Sequence, residues 1–211
     1  MEGISQEGLQ RLPSYLRLLR EFKQQGIESV SSTTIADKLG LNSISVRKDL
    51  ASVSVDGGKP KTGFCVVDLI EEISNFLGYN NISEAILVGV GKLGRALLSY
   101  KGFANYGLNI VASFDSNADM LSVDPKGKPI FMVKRLPDLV KRLNIKIGII
   151  TVPAEGAQEV CDLMIKSGIK AIWNFAPIHL VTPSNIAIKN EDMAASLAVL
   201  SQRLAEILKN D

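Results

Sequence analysis

The sequence has few cysteines, a single histidine and no long hydrophobic run, and each shortage removes a class of protein from consideration. The 211 residues include two cysteines, Cys65 and Cys161, which lie far apart without metal-ligand spacing. We therefore expect two reduced, buried thiols. His179 has no Cys, Asp or Glu at ligand spacing, which favours a structural role over catalysis or metal binding. A metal centre is not expected.

No apolar stretch approaches the roughly 20 residues that span a bilayer. The N-terminal segment MEGISQEGLQ is polar and contains no signal core, so we expect a cytoplasmic protein. The composition is 46% hydrophobic and 22% charged, which is typical of one or two globular domains with a buried core.

Two amphipathic helices frame the first part of the chain. Apolar spacing predicts one helix over residues 13–25, with Pro13 as its start and Gly26 as its stop. A second amphipathic helix is predicted over residues 66–77, before a polar linker. We place a domain boundary near residue 80.

Between these helices lies a helix-turn-helix pattern. Residues 31–32 cap a short helix over residues 33–40, and Asn42 caps another over residues 43–50. The turn contains glycine, and the small Ala36 stands where the two helices must touch.

The second helix of this pattern presents hydroxyls and cations that reach base edges and phosphates in a major groove. Residues 52–66 then predict strand, glycine-rich turn and strand, a basic wing suited to a phosphate backbone. The alternative is a solvated helix face in a plain helical module. The candidate DNA-binding residues are Ser43, Ser45, Arg47 and Lys48 in the helix, with Lys59 and Lys61 near the wing tip.

A glycine fingerprint dominates the second part of the chain. An apolar run meets Gly89, Gly91 and Gly94 before helical periodicity begins. This spacing turns the chain, admits a pyrophosphate and allows close helix–strand packing. Asp115 ends the next predicted strand, where a carboxylate accepts hydrogen bonds from both ribose hydroxyls and repels a 2′-phosphate. The pattern predicts NAD(H) binding, although a glycine turn in another α/β sheet is the simpler alternative.

From residue 84 strands alternate with helices, which predicts a parallel sheet with crossover helices. Ligands in such sheets bind at the carboxyl ends of the strands. We therefore expect Val152, Pro153 and residues 174–177 to face the same crevice as the glycine turn. An ordinary strand-to-helix turn at residues 151–154 is the alternative.

The final predicted helix has little polar surface. Asn190 is its expected cap, with Glu191 and Asp192 in the first turn. Such a helix needs a partner surface, which is either a second subunit in a two-fold dimer or its own chain. Its apolar stripe comprises Met193, Leu197, Leu200, Leu204 and Ile207.

With these features in this order, the chain resembles the Rex family of redox-sensing transcriptional repressors. The resemblance covers nearly the whole chain through YLR (15–17), VSS (30–32), VRKDL (46–50), GVGKLGRALLSYKGF (89–103), FD (114–115), TVPAEGAQEV (151–160) and NFAP (174–177). It implies a homodimer with exchanged C-terminal helices, which binds operator DNA when NADH is scarce and releases it when NADH binds.

The resemblance also implies roles for individual residues. It places residues 89–94 on the pyrophosphate, Asp115 on the adenine-side ribose and Tyr100 near the nicotinamide. It pairs Arg17 with Asp192 in an ion pair that changes between states. The candidate cofactor-binding residues are Gly89, Val90, Gly91, Lys92, Leu93, Gly94, Tyr100, Asp115, Val152, Pro153, Ala154, Asn174, Phe175 and Asp192.

Two positions depart from the family pattern. The wing reads ASVSVDGGKPKTGF instead of the common form with KRGVGY, and Met193 replaces an aromatic residue of some members.

An apolar pocket suits the neutral ring of reduced nicotinamide better than the cationic oxidised ring. Residues suited to such a pocket are Tyr100, Phe103, Phe175 and Met193.

The expected fold is α/β: a winged-helix domain over residues 1–80, a Rossmann-like domain with a parallel sheet over residues 81–188, and a dimerisation helix over residues 189–211. Two other functions compete with an NADH-sensing repressor. A small NAD-dependent dehydrogenase needs a positioned acid or base, and no tyrosine is followed by lysine four residues later. A DNA-binding sensor of another nucleotide, such as coenzyme A, keeps the same glycine turn.

Overall fold

The computed structural model describes residues 3–55, 57–58, 62–81, 83–117, 123–125, 127 and 129–210. The chain divides into two compact units, residues 1–81 and residues 82–211. The helices and strands of the first unit are α1 (Gln6–Gln24), β1 (Ser29–Val30), α2 (Ser32–Leu39), α3 (Ser43–Val53), β2 (Phe64–Cys65) and α4 (Val66–Phe76). Those of the second unit are β3 (Ser83–Val88), α5 (Lys92–Ser99), β4 (Leu108–Asp115), β5 (Ile130–Met132), α6 (Leu136–Leu143), β6 (Ile147–Ile150), α7 (Ala154–Ser167), β7 (Ala171–Asn174), β8 (Ala187–Asn190) and α8 (Met193–Asn210).

Helices α2 and α3 pack as the predicted helix-turn-helix. The Ser31 hydroxyl accepts a hydrogen bond from the Thr34 N–H (3.0 Å), and Asn42 caps α3. Gly40 ends α2 with a φ of 64°, a left-handed conformation that glycine adopts without strain. Ala36 is completely buried, so its small side chain allows the close helix contact.

Helix α1 is longer than predicted, and the expected start at Pro13 is wrong. The helix begins at Gln6, where the Ser5 hydroxyl caps it. Proline inside a helix removes a hydrogen bond and usually costs about 3 kcal/mol. Leu12 and Leu16 are both completely buried, so one apolar stripe continues across the proline and packing maintains the helix.

The first strand of the predicted wing is also wrong. Ser52 and Val53 form the last turn of α3. Val53 is buried and continues the inward stripe of Val46 and Leu50 at helical spacing. The alternation of serine and valine suggested a strand, but burial of Val53 favours one more helical turn.

Strand β2 pairs antiparallel with β1, not with residues 52–55. Gly63 precedes β2 with a φ of 78°, and a side chain there would collide with the Val30 carbonyl. Cys65 is exposed, which corrects the expectation that it is buried, because Phe64 takes the inward position of this short strand. Lys59 and Lys61 lie outside the described residues.

In the second unit the described strands form a six-stranded sheet in the order β5-β4-β3-β6-β7-β8, with every pair parallel. This is the strand order of the dinucleotide-binding fold and confirms the predicted Rossmann-like architecture. The order reverses between β3 and β6, so a crevice opens at their carboxyl ends. Strand β8 was not predicted, because its four residues are half-exposed and include Lys189.

Helix α8 begins at Met193, so Asn190 is not its cap. Asn190 ends β8, and the Asp192 carboxylate accepts a hydrogen bond from the Ala195 N–H (2.9 Å) as the true cap. All residues from Met193 to Lys209 are exposed. Nothing in the described part of the chain covers this apolar helix, which removes the support for packing within its own chain.

Candidate functional site

The glycine turn is built by close contacts on two of its three glycines. A side chain at Gly94 would collide with the Gly89 carbonyl. Gly89 has a φ of 99°, and a side chain there would lie 2.7 Å from the Thr151 backbone carbon. Gly91 differs, because a Cβ there would meet no described atom within 4 Å. The fingerprint thus packs two glycines against the protein and leaves the third facing open space.

Thr151 and Asp115 hold this turn from the neighbouring strands. The Thr151 hydroxyl lies 2.6 Å from the Gly89 carbonyl, to which it donates a hydrogen bond. The Asp115 carboxylate accepts hydrogen bonds from the Val90 N–H (2.7 Å) and the Asn117 N–H (2.9 Å). Each carboxylate oxygen has two lone pairs, so Asp115 retains acceptor capacity toward the crevice. Sequence reasoning did not select Thr151.

The turn opens into a cavity of about 1250 Å³ at the carboxyl ends of the strands. Seven of the predicted cofactor-binding residues line it: Gly89, Gly91, Leu93, Asp115, Val152, Pro153 and Phe175. The N-termini of α5 and α7 have no side-chain cap, so their first N–H groups are available to a bound anion.

Five other predicted residues do not line the cavity. Val90 is completely buried and Gly94 packs on the turn. Lys92 and Ala154 are the first residues of α5 and α7. Asp192 is exposed at the start of α8.

Asn174 was predicted to face the crevice, but its side chain is completely buried. Its Nδ2 donates to the Ala176 carbonyl (3.2 Å), the Ile178 carbonyl (2.9 Å) and the Asn190 side chain (2.9 Å). Its Oδ1 accepts from the Ala176 N–H (2.9 Å). Asn174 therefore holds the loop that carries Phe175 into the cavity and ties this loop to the end of β8.

An aromatic series runs away from the cavity wall. Phe175 lies 4.8 Å from Trp173, Trp173 lies 5.8 Å from Phe103, and Phe103 lies 5.0 Å from Tyr100, measured between ring centroids. The Trp173 indole N–H donates a hydrogen bond to the Glu191 carboxylate (2.7 Å). Phe175 lines the cavity, whereas Tyr100 and Phe103 extend the series to a neighbouring small pocket.

Sequence reasoning missed one wall of the cavity, which is a face of α7. Because α7 begins at the crevice, residues at helical spacing along it share the face that lines the cavity, and this spacing could have identified them from the sequence. Three carboxylates and one ammonium group lie on this wall. Its lining residues are Glu155, Gly156, Glu159, Val160, Asp162, Leu163 and Lys166.

In the first unit, α3 presents a mixed face. Arg47 and Lys48 are exposed, as predicted, whereas Ser43 and Ser45 are half-buried. Ile44 is 68% exposed, although isoleucine is among the residues most often fully buried. Arg17 is exposed on α1.

A partly buried hydrogen-bond network fixes α3 to α1. The Arg11 guanidinium donates to both oxygens of Asp49 (2.8 and 3.0 Å), and the Tyr15 hydroxyl donates to Asp49 at 2.7 Å. Burial and the Asp49 carboxylate raise the pKa of Tyr15 above its usual range. A side chain at Gly8 would reach Asp49 Oδ1 at 2.5 Å, so glycine permits the close approach of the two helices.

The described residues contain no candidate metal site and no candidate membrane-spanning helix. No group of three His, Cys, Asp or Glu side chains is arranged to hold a metal ion among them. In the same part of the chain, no helix is both long enough and apolar enough to cross a membrane.

Two family models match the chain. One, described as a CoA binding domain, matches residues 80–178. The other, described as a putative DNA-binding protein N-terminus, matches residues 3–51.

Curated relatives match over nearly the full length. The redox-sensing transcriptional repressor Rex of Porphyromonas gingivalis is 41% identical over 204 residues, covering 97% of this chain and 93% of the relative. The repressor of the same name from Treponema denticola is 41% identical over 192 residues, covering 91% of each.

Solved structures also match over nearly the whole chain. A crystal structure of RSP in complex with β-NAD⁺ and operator DNA has a TM-score of 0.90 at 31% identity, covering 100% of this chain and 97% of the other. A structure of RSP in complex with β-NADH has a TM-score of 0.86 at 31% identity, covering 98% of each chain.

Proposed function

The chain belongs to the Rex family of redox-sensing transcriptional repressors, and we propose on this premise how its residues sense NADH. The protein is a transcriptional repressor and not an enzyme. It binds operator DNA when NADH is scarce and releases the DNA when NADH binds. The open space at Gly91, beside the uncapped α5 N-terminus and Asp115, is the observation that carries the proposal.

The dinucleotide fits the cavity of the second unit. The backbone of residues 89–94 and the N-terminus of α5 take the pyrophosphate, because the first N–H groups of a helix attract anions. A side chain at Gly91 would occupy the space that the pyrophosphate needs. The Asp115 carboxylate accepts hydrogen bonds from the hydroxyls of the adenosine ribose, and its charge disfavours a 2′-phosphate. The cofactor is therefore NAD(H), a sensed ligand that undergoes no reaction here.

The nicotinamide lies toward Phe175 in the proposed arrangement, with Tyr100 at the far end of the aromatic series. The adenosine half is identical in NADH and NAD⁺, so discrimination arises at the nicotinamide. A neutral ring enters an apolar environment at lower cost than a cationic ring. Val152 and Pro153 complete the cavity wall, and Asn174 positions Phe175.

Operator DNA binds to the first unit, in which α3 enters the major groove. Arg47 and Lys48 reach guanine edges or phosphates, and Ser43 and Ser45 contact the backbone at the start of the helix. Lys59 and Lys61, which follow α3 in the chain, add phosphate contacts. Residues 1–80 form this winged-helix domain, and residues 81–188 form the NAD(H)-binding domain.

Residues 189–211 pair two protomers, because α8 exposes its apolar stripe along its whole length. A two-fold dimer buries this stripe and presents two α3 helices to a two-fold operator. Arg17 and Asp192 form an ion pair that differs between the DNA-bound and NADH-bound states. The protein works in the cytoplasm, where its operator and NADH are both present.

An operator-shift titration tests the proposal. NADH, NAD⁺ and NADPH are compared at one salt concentration, since phosphate contacts make DNA affinity salt-dependent. We expect NADH to weaken operator binding by roughly 5- to 150-fold, the range of a typical allosteric coupling. NAD⁺ and NADPH should have much smaller effects. Equal dissociation constants for NADH and NAD⁺ would refute the sensing mechanism.

A second candidate ligand is coenzyme A, which the match of residues 80–178 to a CoA binding domain favours. Coenzyme A carries a 3′-phosphate on its ribose. Asp115, Glu155 and Glu159 line the cavity, and their carboxylates repel this phosphate. A parallel titration with coenzyme A distinguishes the two ligands, since release of DNA by coenzyme A and not by NADH would favour the second.

A further inference from the structure

The first turn of α3 carries an isoleucine whose side chain is exposed and does not pack in the core. Ile44 is 68% exposed, whereas Val46 and Leu50 of the same helix are completely buried. The Ile44 N–H is bonded to the Asn42 cap (2.9 Å). The backbone at this position is therefore fixed, while the side chain projects into solvent.

The position of Ile44 relates it to the cations of α3. Arg47 and Lys48 follow it by three and four residues, and both are exposed. Residues at these spacings lie on one face of a helix. This face thus begins with an apolar side chain at the helix N-terminus and continues with two positive charges.

The combination matches the chemistry of a major groove better than that of a solvated surface. Arginine and lysine bind guanine edges and phosphates, and apolar side chains contact the C5-methyl group of thymine. N-terminal residues of the second helix in a helix-turn-helix are those that contact base edges. A solitary exposed isoleucine is common on protein surfaces, but here it lies beside the proposed DNA contacts.

We propose that Ile44 is a specificity-determining residue that reads the C5-methyl group of a thymine in each operator half-site. This inference rests on the proposed DNA-binding function. It adds an apolar contact to the hydroxyls and cations assigned to α3.

Single replacements of thymine by deoxyuridine test the inference, because deoxyuridine lacks the methyl group and keeps every hydrogen-bonding atom. A duplex is first selected from a randomised library with the full-length protein. Each thymine is then replaced in turn, and affinity is measured by anisotropy of labelled DNA without NADH. We expect one thymine per half-site at which replacement weakens binding about fourfold, the value of one buried methyl group.

The Ile44→Ala variant should bind the duplex with thymine at that position and the duplex with deoxyuridine there with equal affinity. Val67→Ala is the matched control, because Val67 is 49% exposed on α4, and it should keep the fourfold discrimination. NADH affinity of the free protein and the circular dichroism spectrum should be unchanged in Ile44→Ala, which shows that the variant is folded.

The possible failures are distinguishable. In one outcome, operator binding remains sensitive to NADH, but Ile44→Ala discriminates between thymine and deoxyuridine at every position as the wild type does. The inference about Ile44 is then overturned and the proposed function stands. If the wild-type protein selects no duplex, the DNA-binding proposal fails and the inference fails with it.

Discussion

Arg11 of α1 and Asp49 of α3 form a two-pronged ion pair, with N–O distances of 2.8 and 3.0 Å. Asp49 directly follows Lys48 in the chain, and its carboxylate is nearly completely buried. The pair therefore fixes the rotation of α3, and with it the direction in which the exposed cations of α3 point.

We predict that Arg11→Met destabilises the first unit and weakens operator binding. Removing one partner of a buried ion pair leaves an uncompensated charge, which costs about 3–5 kcal/mol when both are buried. Arg11 is 27% exposed, so we expect a loss of about 2 kcal/mol in the free energy of unfolding. Urea denaturation measures it. The double variant Arg11→Met with Asp49→Leu should recover part of the stability, and no recovery would contradict the explanation.

Asp115 provides the second prediction. Asp115→Ala removes the proposed ribose contact and the acceptor of the Val90 N–H, so NADH affinity should fall by roughly 30-fold, the value of a charge-assisted hydrogen bond. Asp115→Asn is a partial control, since its amide oxygen still accepts from the Val90 N–H while its NH2 group loses the bond from the Asn117 N–H. Calorimetric titration measures both variants. An unchanged NADH affinity in Asp115→Ala would contradict the proposed ribose contact.

The glycines of the turn should respond differently to alanine. At Gly94 a new side chain collides with the Gly89 carbonyl, and such overpacking costs about 2 kcal/mol of stability. At Gly91 the space is open, so Gly91→Ala should change stability by less than about 0.5 kcal/mol while blocking NADH. Urea denaturation and calorimetry separate the two effects. Equal destabilisation in both variants would refute the proposed geometry.

Helix α8 provides a prediction on assembly. Leu200 is 65% exposed on the apolar stripe, and Leu200→Glu should convert a dimer into a monomer, because it places a charge in the proposed interface. Loss of two-site binding should lower operator affinity by about 100-fold. Gln202→Glu adds the same charge on the opposite side of the helix and should remain dimeric. Light scattering during gel filtration measures the mass.

The two thiols should differ in reactivity and in their effect on stability. Cys65 is exposed and should react rapidly with a thiol reagent, whereas Cys161 is buried and should react when the second unit unfolds. Burial, with a smaller effect of Asp162, raises the pKa of the Cys161 thiol to about 11.

This shift determines the pH dependence. The thiol has its ordinary pKa of 9.0 in the unfolded chain and a pKa of about 11 in the folded protein. The unfolded chain therefore loses its proton first, and stability should fall as pH rises from 9 to 11. The measured quantity is the free energy of unfolding of the wild type minus that of Cys161→Ala. This difference should be smaller at pH 10 than at pH 8. A difference that does not change with pH would contradict the assignment.

Much of the second unit was predictable, because its strands and helices carry strong periodic patterns. Gly89, Gly94 and Asp115 lie where strand–turn–helix spacing requires, since their surroundings are set within a short stretch of chain. The α7 wall was missed because its charged residues form no known binding motif. These residues line the cavity only because the strand order places β6, and with it the helix α7 that follows it, beside β3.

The errors arose where packing opposed a local signal. Pro13 suggested a helix start, but buried leucines on both sides keep α1 continuous. The alternating residues 52–55 suggested a strand, but the interior position of Val53 prolongs α3. Asn174 was misjudged, because this polar residue was expected at the crevice and proved to be completely buried, whereas the apolar Ile44 is exposed. Residue type does not determine burial where a turn or a helix start fixes the side-chain direction.

Trp173 is the single tryptophan of the chain, and its ring lies against Phe175 at the cavity wall. Its emission overlaps the absorption of reduced nicotinamide and not that of the oxidised form. Each chain therefore contains an intrinsic fluorophore one aromatic ring away from the cavity that we propose for the dinucleotide. Energy transfer from this indole would report in real time, and without any attached dye, when the reduced coenzyme arrives.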